Sequence, residues 1–590
     1  MRRFTSLACA LTLIASAAHA QSDNPPSRVA RISALVGQAS IQPSGSDEWG
    51  DATLNYTITT GDRIYTSPGS RLELEIGPLV VRLSENADVT VTNLDDDLLQ
   101  LAVAQGTIRL SVYRVLNSDS IEVDTPNGAA IISAPGRYRI DVPPDGRYSG
   151  VSIETGAVVV VGPGIEREFR AVQAVQLSGT DRIHVFNVGR PARTIFDQWS
   201  DDRDGRVNAS QCSRYMSNDI PGCADLDEAG QWEANVEFGI VWYPTRVRVD
   251  WVPYCDGRWV WIAPWGWTWV AEEPWGYAPF HYGRWAHIGR RWGWIPGPIM
   301  MRPYYAPALV VFVGGPGWRV GVNIGAQAWF PLGPREAYHP WYHHDDRYLR
   351  SVNMTNVRNV TNINVFIAEP RGGPVRYVNQ TAGIIAVSGD GFRNGRPVGK
   401  ERVTVRPEDV ERASIIPHPT VVPVERSAIG GRPVAKPPVA PRPIMRPTMR
   451  PPTAPPTTGT RGAPPGRGAP PSRVEPPTRG APPARGVPPT RGNPPGRGRG
   501  DDVQQTGKII ITRVPPPLEK PPFRDQEKAL QTRPGRPLEP QQMQNVRDGK
   551  AAGPAKDPVT PPQKIAPAKE PPRGGKSEPP GRGRGGRDGS

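Results

Sequence analysis

The sequence has little cysteine and, beyond its first twenty residues, no apolar stretch long enough to cross a membrane. Only 4 Cys occur in 590 residues, which excludes a fold held together mainly by disulfides. Charge, Pro or Gly interrupts every later apolar run, so no transmembrane segment is predicted in the mature chain. The 71 Pro and 63 Gly also exclude regular, core-forming structure along much of the chain.

Aromatic residues are almost absent from the last third of the chain, where positive charge concentrates. Residues 401–590 contain 34 Lys and Arg, 17 Asp and Glu, 43 Pro and a single aromatic residue, Phe523. This composition buries too little apolar surface to offset the entropy of folding. Residues 371–416 are interpreted as a mixed linker, and residues 417–590 are predicted to be a disordered basic tail rich in Pro, Gly and Arg.

Within this tail, residues 461–500 repeat the pattern Arg-Gly-x-Pro-Pro. Pro-Pro favours an extended backbone and Gly interrupts it, so the repeats predict a semi-stiff cationic segment. Such a segment either attracts anionic envelope polymers, lipid headgroups or extracellular DNA, or is a solvated spacer. Nucleic acid inside the cell is not expected as a partner.

The N-terminus has the pattern of a secretory signal peptide over residues 1–20. Arg2 and Arg3 precede an apolar run from Leu7 to Ala18, and a small-x-small site ends at Ala20. The run is shorter than the roughly 20 residues that a bilayer span needs. We therefore predict cleavage and export, to the periplasm or outside the cell, with association to the envelope as an option.

Export places the three remaining cysteines in an oxidising compartment. A disulfide between Cys212 and Cys223 would close a small loop and leave Cys255 unpaired. Three reduced, structural thiols are the alternative interpretation.

Residues 28–185 are predicted to be all β. Residues 71–76 and 88–92 alternate polar and apolar side chains, which is the period of a half-buried strand. Turn signals such as Thr60-Gly61-Asp62 and Pro143-Pro144-Asp145-Gly146 separate the strands. Regular spacing of this kind favours a β-sandwich or β-roll.

These strands resemble the FecR domain. The resemblance is carried by Val29 to Ile41, Thr60 to Thr66, Arg71 to Leu83, Gln105 to Leu110, Val123 to Pro126 and Val151 to Val161. It implies a domain outside the cytoplasmic membrane and, as in some members, a role in relaying an iron-uptake signal to a sigma factor. In the family that relay uses a membrane helix before the domain, whereas here a signal peptide occupies that position.

Residues 190–232 are interpreted as a helical or loop connector. Ser200 to Gly205 is superficially similar to a calcium-binding loop, but Gln211 stands where such a loop needs a bidentate Glu. A solvated helix end is the preferred interpretation.

Residues 233–370 are predicted to form a small Trp-rich β module. Fifteen of the 17 Trp lie between Trp232 and Trp341, and period two places Trp265, Trp267 and Trp269 on one face of a strand. Two interpretations remain open, because each Trp can build the core or stay exposed as a platform for a sugar ring. The predicted ligand-binding residues are Trp259, Trp267, Trp269, Arg284 and Trp285.

This module is similar to a domain of unknown function that follows FecR-like domains in bacterial exported proteins. The resemblance is carried by Trp251 to Tyr254, Gly257 to Trp259, Gly266 to Val270, Pro274 to Trp285 and Trp329 to Glu336. It implies an exported setting and no particular activity.

No catalytic motif and no cofactor site are recognised. His339, His343 and His344 precede Asp345 and Asp346 with a spacing that permits metal binding, but a polar loop is preferred and no metal is predicted. Glu272 and Glu273 lack a second carboxylate placed to share acid and base roles. We therefore expect a protein that is not an enzyme.

The resulting hypothesis is a non-catalytic binding or scaffolding protein of the cell envelope. Its expected partner is an envelope polysaccharide, another anionic polymer or another envelope protein, engaged by exposed Trp and Arg residues and by the basic tail. The alternative is a FecR-like sensor that acts through protein–protein interaction in signal transduction. The oligomeric state is not predicted.

Overall fold

The computed structural model describes residues 23–116, 119–314, 318–320, 323–354, 377–406, 408–409, 413–439, 444–448, 509–553 and 563–564. The predicted signal peptide and the Arg-Gly-x-Pro-Pro repeats lie outside these residues. Strands dominate the described part, which confirms the mainly β fold class. Within the same ranges, no helix has the length and apolar character needed to cross a membrane.

The N-terminal domain consists of two sheets that share one long strand. The strand order of the first sheet is β4 (Thr57–Ile58), β1 (Ala30–Val36), β6 (Arg71–Ile76), β7 (Leu79–Leu83), β9 (Leu98–Val112), β12 (Gly136–Val142), β13 (Tyr148–Thr155), β16 (Ala174–Ser178) and β17 (His184–Asn187). That of the second sheet is β30 (Pro433–Val434), β3 (Trp49–Asp51), β2 (Ala39–Gln42), β5 (Arg63–Thr66), β8 (Asp88–Leu94), β9, β10 (Ser120–Thr125), β11 (Gly128–Ile132), β14 (Ala157–Gly162) and β15 (Ile165–Arg170).

Strand β9 changes sheets near its middle. Its first half pairs with β8 and β10, and its second half pairs with β7 and β12. Gly106, at the change, has a φ of +98°, and a Cβ atom there would lie 2.4 Å from the Cα atom of Ala87. Only glycine fits such a position without strain. The long strand therefore folds the chain into one closed, two-layered domain.

A row of charged side chains crosses four strands of the first sheet. Glu73, Arg82, Arg109 and Arg139 are register partners on β6, β7, β9 and β12. Their neighbours along each strand point into the apolar core, so the row lies on the opposite face of the sheet. Three adjacent arginines repel one another unless carboxylates neutralise them.

Helix α1 (Ile195–Ala209) supplies these carboxylates. Its salt bridges are Asp204 to Arg82 at 2.7 Å, Asp201 to Arg109 at 3.1 Å and Asp197 to Arg139 at 2.7 Å. Asp197, Ser200 and Asp204 are 4%, 0% and 5% exposed, so the helix buries a polar stripe against the row. Residues 200–205, which were weighed above as a calcium loop, lie inside this helix. The preferred interpretation as a solvated helix end is wrong for Ser200 and Asp204, because both residues are buried where the helix packs against the row.

The row also changes the protonation of Glu73. Burial raises its pKa, but Arg203 of α1, whose Nε lies 3.2 Å from the carboxylate, and Arg82 outweigh burial and lower the pKa to about 2. Glu73 therefore remains ionised and pairs with both arginines.

The chain after α1 begins a Trp-rich module. A short 3-10 helix (Cys212–Arg214) and α2 (Cys223–Ala229) lead into it. Its first sheet has the order β18 (Gly230–Asn235), β19 (Gly239–Pro244), β23 (Arg291–Ile295) and β22 (Arg284–Ile288), and its hairpin is β20 (Gly257–Ile262) with β21 (Gly266–Ala271). A further sheet has the order β28 (Ile385–Val387), β27 (Gln327–Pro331), β24 (Val310–Gly314), β29 (Ser414–Ile416) and β33 (Gln563–Lys564), and β25 (Arg319–Val320) pairs with β26 (Asn323–Ile324).

Short helices surround these strands: α3 (Tyr277–His281), α4 (Asp346–Met354), α5 (Gly389–Arg393), α6 (Val398–Glu401) and α7 (Glu425–Ile429). Because β28 and β29 belong to the same sheet as β24, the described part of residues 371–416 is integrated into the module and is not a separate linker.

Buried polar contacts join the two modules. Arg31 of β1 donates to Glu75 at 2.9 Å and also pairs with Asp225 of α2. Asn55 donates its amide to the backbone oxygens of Ala271 and Glu273. One apolar cluster continues from the N-terminal domain into the Trp-rich module, so the two pack as one body.

Parts of the predicted disordered tail have regular structure. Strand β31 (Ile444–Pro447) pairs in parallel with β32 (Ile509–Thr512), and α8 (Phe523–Gln531) and α9 (Pro540–Arg547) follow. Ile510 and Ile511 are 0% exposed. Residues 509–553 thus have regular structure within the predicted tail, because the body supplies the apolar surface that this segment lacks by itself.

The charged row yields a direct test with two residues of the same helix. Asp204→Ala should lower the free energy of unfolding by about 3–5 kcal/mol, since it leaves Arg82 buried without that carboxylate. Asp202→Ala, at an exposed position of α1, should change it by less than about 0.5 kcal/mol. Urea unfolding of both variants measures the difference. Equal effects would mean that the row does not hold the helix.

Candidate binding groove

The five residues predicted to bind a ligand are buried. Trp259, Trp267, Trp269, Arg284 and Trp285 are each at most 1% exposed. The prediction that they form an accessible platform is therefore wrong, and the interpretation in which they build the core is the one that fits.

Physical chemistry explains their burial. The indole rings contact one another edge to face, for example Trp259 with Trp269 at a centroid distance of 5.6 Å. Trp267 and Trp285 donate their Nε1 hydrogens to the backbone oxygens of Val421 and Pro279. With few Leu and Ile in this part of the sequence, the Trp rings supply the apolar volume that a core needs.

Arg284 joins the segments around Glu336 and Asn353 within this core. It donates to the backbone oxygen of Glu336 at 3.2 Å and to Asn353 Oδ1 at 3.2 Å. Burial lowers the pKa of its guanidinium to about 10. Its donors face protein oxygens, so it does not offer them to an anionic ligand.

Of the two interpretations of the cysteines, one disulfide or three reduced thiols, the structure agrees with the disulfide. Cys212 and Cys223 form a disulfide with a Cα–Cα distance of 5.6 Å, and Cys255 is a buried free thiol. Burial raises the pKa of Cys255 to about 12, so the thiolate form is suppressed. The disulfide attaches the start of α2 to the short helix that follows α1.

The histidine-rich segment has the character of a loop. His344 Nδ1 lies 2.8 Å from the backbone oxygen of Tyr342, and Asp345 accepts from the backbone N–H of Tyr348. In the described ranges, no group of three or more His, Cys, Asp or Glu side chains is arranged to hold a metal ion.

A groove of about 1060 Å³ lies between the modules. We call it the junction groove. Its walls come from four places: residues 24–29, the strand ends and turns at 59–63 and 90–98, the loop at 263–265 with the start of α4, and residues 514–520 of the C-terminal segment.

The lining of the junction groove is mixed. Hydroxyl and amide groups come from Thr60, Thr92 and Asn93, and apolar surface comes from Tyr304 and the Pro residues at 515–517. Arg347 and Arg547 add positive charge. A ligand with apolar faces and polar edges matches this combination.

The carboxylates in the groove are already engaged in hydrogen bonds. Asp96 accepts from the backbone and hydroxyl of Ser27 at 2.7 Å, and Asp95 accepts from the backbone N–H groups of residues 97 and 98. A backbone hydrogen bond from Tyr348 is the main cause that lowers the pKa of Asp345. These hydrogen bonds hold in place the turns that form the groove walls.

Sequence reasoning did not find this groove. Its walls are separated by up to several hundred residues, and no local motif marks them. The only available signals were the Asp95-Asp96-Asp97 turn and the Pro515-Pro516-Pro517 run, and neither indicates that the two meet in space.

The fold and the groove together define a mainly β, multi-module protein with a polar cleft at the module junction. Residues 223–336 match the sequence pattern of DUF6600, a family of unknown function. The matched residues begin at α2 and end just after β27. No curated protein matches the chain.

Two crystal structures of a candidate anti-sigma factor from Parabacteroides distasonis are similar to part of the chain. They have 16% and 17% sequence identity and a TM-score of 0.20, and the match covers 22% of this chain. The chain spans 60% of the length of that protein.

One half-buried acid in the Trp-rich module, Glu273, makes stability depend on pH. Burial raises the pKa of Glu273 to about 8, although Trp251 Nε1 donates to its Oε1 at 2.8 Å. Its Oε2 is shielded from solvent and has no hydrogen-bond partner among the described residues. The neutral acid is thus favoured in the folded chain, so its stabilisation is complete below pH 4.5 and is lost as the pH rises through 8.

Glu273→Gln should therefore stabilise the protein at pH 9, on the order of 2 kcal/mol relative to the unmodified chain, and have little effect at pH 5. Glu272→Gln, at the exposed neighbouring position, should show no such dependence. Thermal unfolding at the two pH values measures both. A stabilisation that is equal at pH 5 and pH 9 would contradict the assignment.

Proposed function

We propose that this protein is a non-catalytic binding protein of the cell envelope, which holds an envelope polysaccharide or another anionic polymer in the junction groove. The observation that carries the proposal is the groove itself, about 1060 Å³ in volume and lined by hydroxyl, amide, aromatic, basic and carboxylate side chains. Sugar rings present apolar C–H faces and polar hydroxyl edges, which fit such a lining.

Two further observations support the envelope setting and the binding role. The Cys212–Cys223 disulfide is a bond that persists in oxidising compartments outside the cytoplasm. The groove carboxylates hold turns in place, as described for Asp95 and Asp96, which favours recognition over acid–base chemistry.

The basic repeats of residues 461–500 have a second, less specific part in this proposal. They carry one Arg about every five or six residues, so they attract anionic polymers over a distance set by the salt concentration. The groove then supplies the shape-dependent contact.

Groove binding can be tested with two arginines of helix α4. Arg347 and Arg350 are both exposed, and only Arg347 lines the groove. Arg347→Glu should weaken cosedimentation of the mature chain with purified cell-wall sacculi or an acidic polysaccharide by about fivefold or more, because attraction becomes repulsion. Arg350→Glu is the matched control. No cosedimentation of the mature chain, or equal losses in the two variants, would contradict groove binding.

The tail contribution is tested separately by excising residues 455–500, which leaves residues 509–553 in the chain. The excised protein should lose the part of binding that is sensitive to salt between about 50 and 300 mM, and keep the part that depends on Arg347. Binding that keeps its full salt dependence would contradict the role of the repeats.

Cross-linking in intact cells distinguishes the sensor alternative. Recovery of a membrane transducer or an anti-sigma factor, without polymer, would favour signalling through protein–protein contact over the function proposed here.

A further inference from the structure

Residues 509–553 lie across both modules, and we call them the clip. The clip consists of β32, an extended stretch over residues 513–522, α8 and α9. Sixty residues, 449–508, separate it in sequence from the last described residue of the body, Thr448. It is thus the last long segment of the described chain, and the sequence connects it to the body on both sides, since β33 (Gln563–Lys564), which follows it, pairs with β29.

The clip contacts the N-terminal domain through backbone pairing and one buried carboxylate. Ile511 is the register partner of Thr125 on β10. Glu122, which is 0% exposed, accepts the backbone N–H of Arg513 at 2.7 Å, and its other oxygen lies 3.3 Å from Arg513 Nε. Arg513 also donates to Ser120 Oγ at 2.9 Å. One arginine of the clip therefore neutralises a carboxylate that would otherwise be buried alone.

The clip contacts the Trp-rich module at two places. Lys520 Nζ donates to the backbone oxygen of Ala263 at 3.3 Å, and Arg536 Nε donates to that of Trp341 at 3.3 Å. Between these sites Phe523, which is 6% exposed, donates its backbone N–H to Gly45 of the N-terminal domain at 2.7 Å. The clip thus connects the two modules from outside.

The surface beneath the clip combines apolar contacts with polar ones, since Ile511, Phe523 and Leu530 of the clip belong to the common apolar cluster and polar groups lie beside them. Gln100 Nε2 donates to Thr512 Oγ1 and to the backbone oxygen of Val514, both at 2.7 Å, and to Asp124 Oδ2 at 2.9 Å. Asp124 is 0% exposed. Charged and amide groups of this kind stay hydrated when the clip is absent, whereas an apolar core surface would not. This polar part of the surface around Gln100 and Asp124 is therefore suited to contact with water when the clip is released.

The helices of the clip are too short to be stable in isolation. Its helices have 9 and 8 residues, which is below the length at which isolated helices are stable in water. Three prolines at 515–517 favour an extended backbone in this stretch even when the clip is not docked on the body. Such a segment binds as a peptide, with strand pairing and an extended Pro-rich stretch as its recognition elements.

We propose that the clip is a reversibly docked peptide ligand of the body, so that the surface formed by β10, the Gly45 turn and the loop at 263–265 is a peptide-binding site with residues 509–553 of this chain as its occupant. Because residues 514–520 form one wall of the junction groove, clip release opens that groove. The proposal is independent of the ligand proposed for the groove.

The experiment uses the complete mature chain with a specific protease site placed among residues 470–490. The folded protein is cleaved there, and size-exclusion chromatography follows the two fragments on dilution. They should co-elute at about 50 μM and separate at nanomolar concentrations, since cleavage removes the effective concentration that the tether provides. Fluorescently labelled peptide 509–553 should then bind again to the emptied body.

Two peptide variants test the recognition without altering the body. Arg513→Ala in the peptide should weaken its binding by about tenfold or more, because Glu122 is left buried without that charge. Arg524→Ala, whose side chain is 74% exposed on α8, is the matched control and should bind like the unmodified peptide.

Three results would overturn the proposal. Fragments that never separate on dilution would make the clip an integral part of the fold, and an emptied body that takes up no peptide would exclude reversible docking. A body that loses its Trp fluorescence signal on clip removal would have unfolded, which also counts against a preformed site. None of these outcomes depends on polymer binding.

Discussion

Strand β9 is the element on which the rest of the structure depends, because its pairing in two sheets joins the two layers of the domain to which the other parts attach. Its second half presents Arg109 to α1, and its first half presents Gln100 to the clip. The change between the halves needs Gly106, where the backbone approaches Ala87 too closely for a side chain. One continuous strand therefore positions both the helical connector and the C-terminal segment.

Buried charged contacts, in addition to apolar ones, attach these outer parts to the sheets. The arginine row holds α1, Arg31 joins β1 to α2, and Glu122 receives the clip. Each pair has at least one fully buried partner, so removing the other partner costs more than the pair contributes in net stability. This design makes the positions of the outer parts specific, since a shifted helix or clip would leave a buried charge unpaired.

The interior of the Trp-rich module, in contrast, is held together by the packing of aromatic rings. Its indole rings fill the interior that Leu and Ile fill elsewhere, and they pack edge to face at centroid distances near 5–6 Å. The abundance of Trp, which suggested a binding platform, reflects the need of short, Gly- and Pro-interrupted strands for large side chains that pack a core. The polar groove that remains for a ligand lies outside this core, where the modules and the clip meet.

The sequence by itself determined the mainly β class, since period-two alternation and turn residues are local, and it indicated the Trp-rich module and the Cys212–Cys223 pair. It did not indicate that α1 buries carboxylates, because a polar helix stripe is recognisable only beside the arginines on β7, β9 and β12. It also did not indicate the junction groove, whose walls come from segments far apart in the chain. Tertiary structure decided both, because burial and charge pairing depend on which surfaces meet and not on the residues of either surface alone.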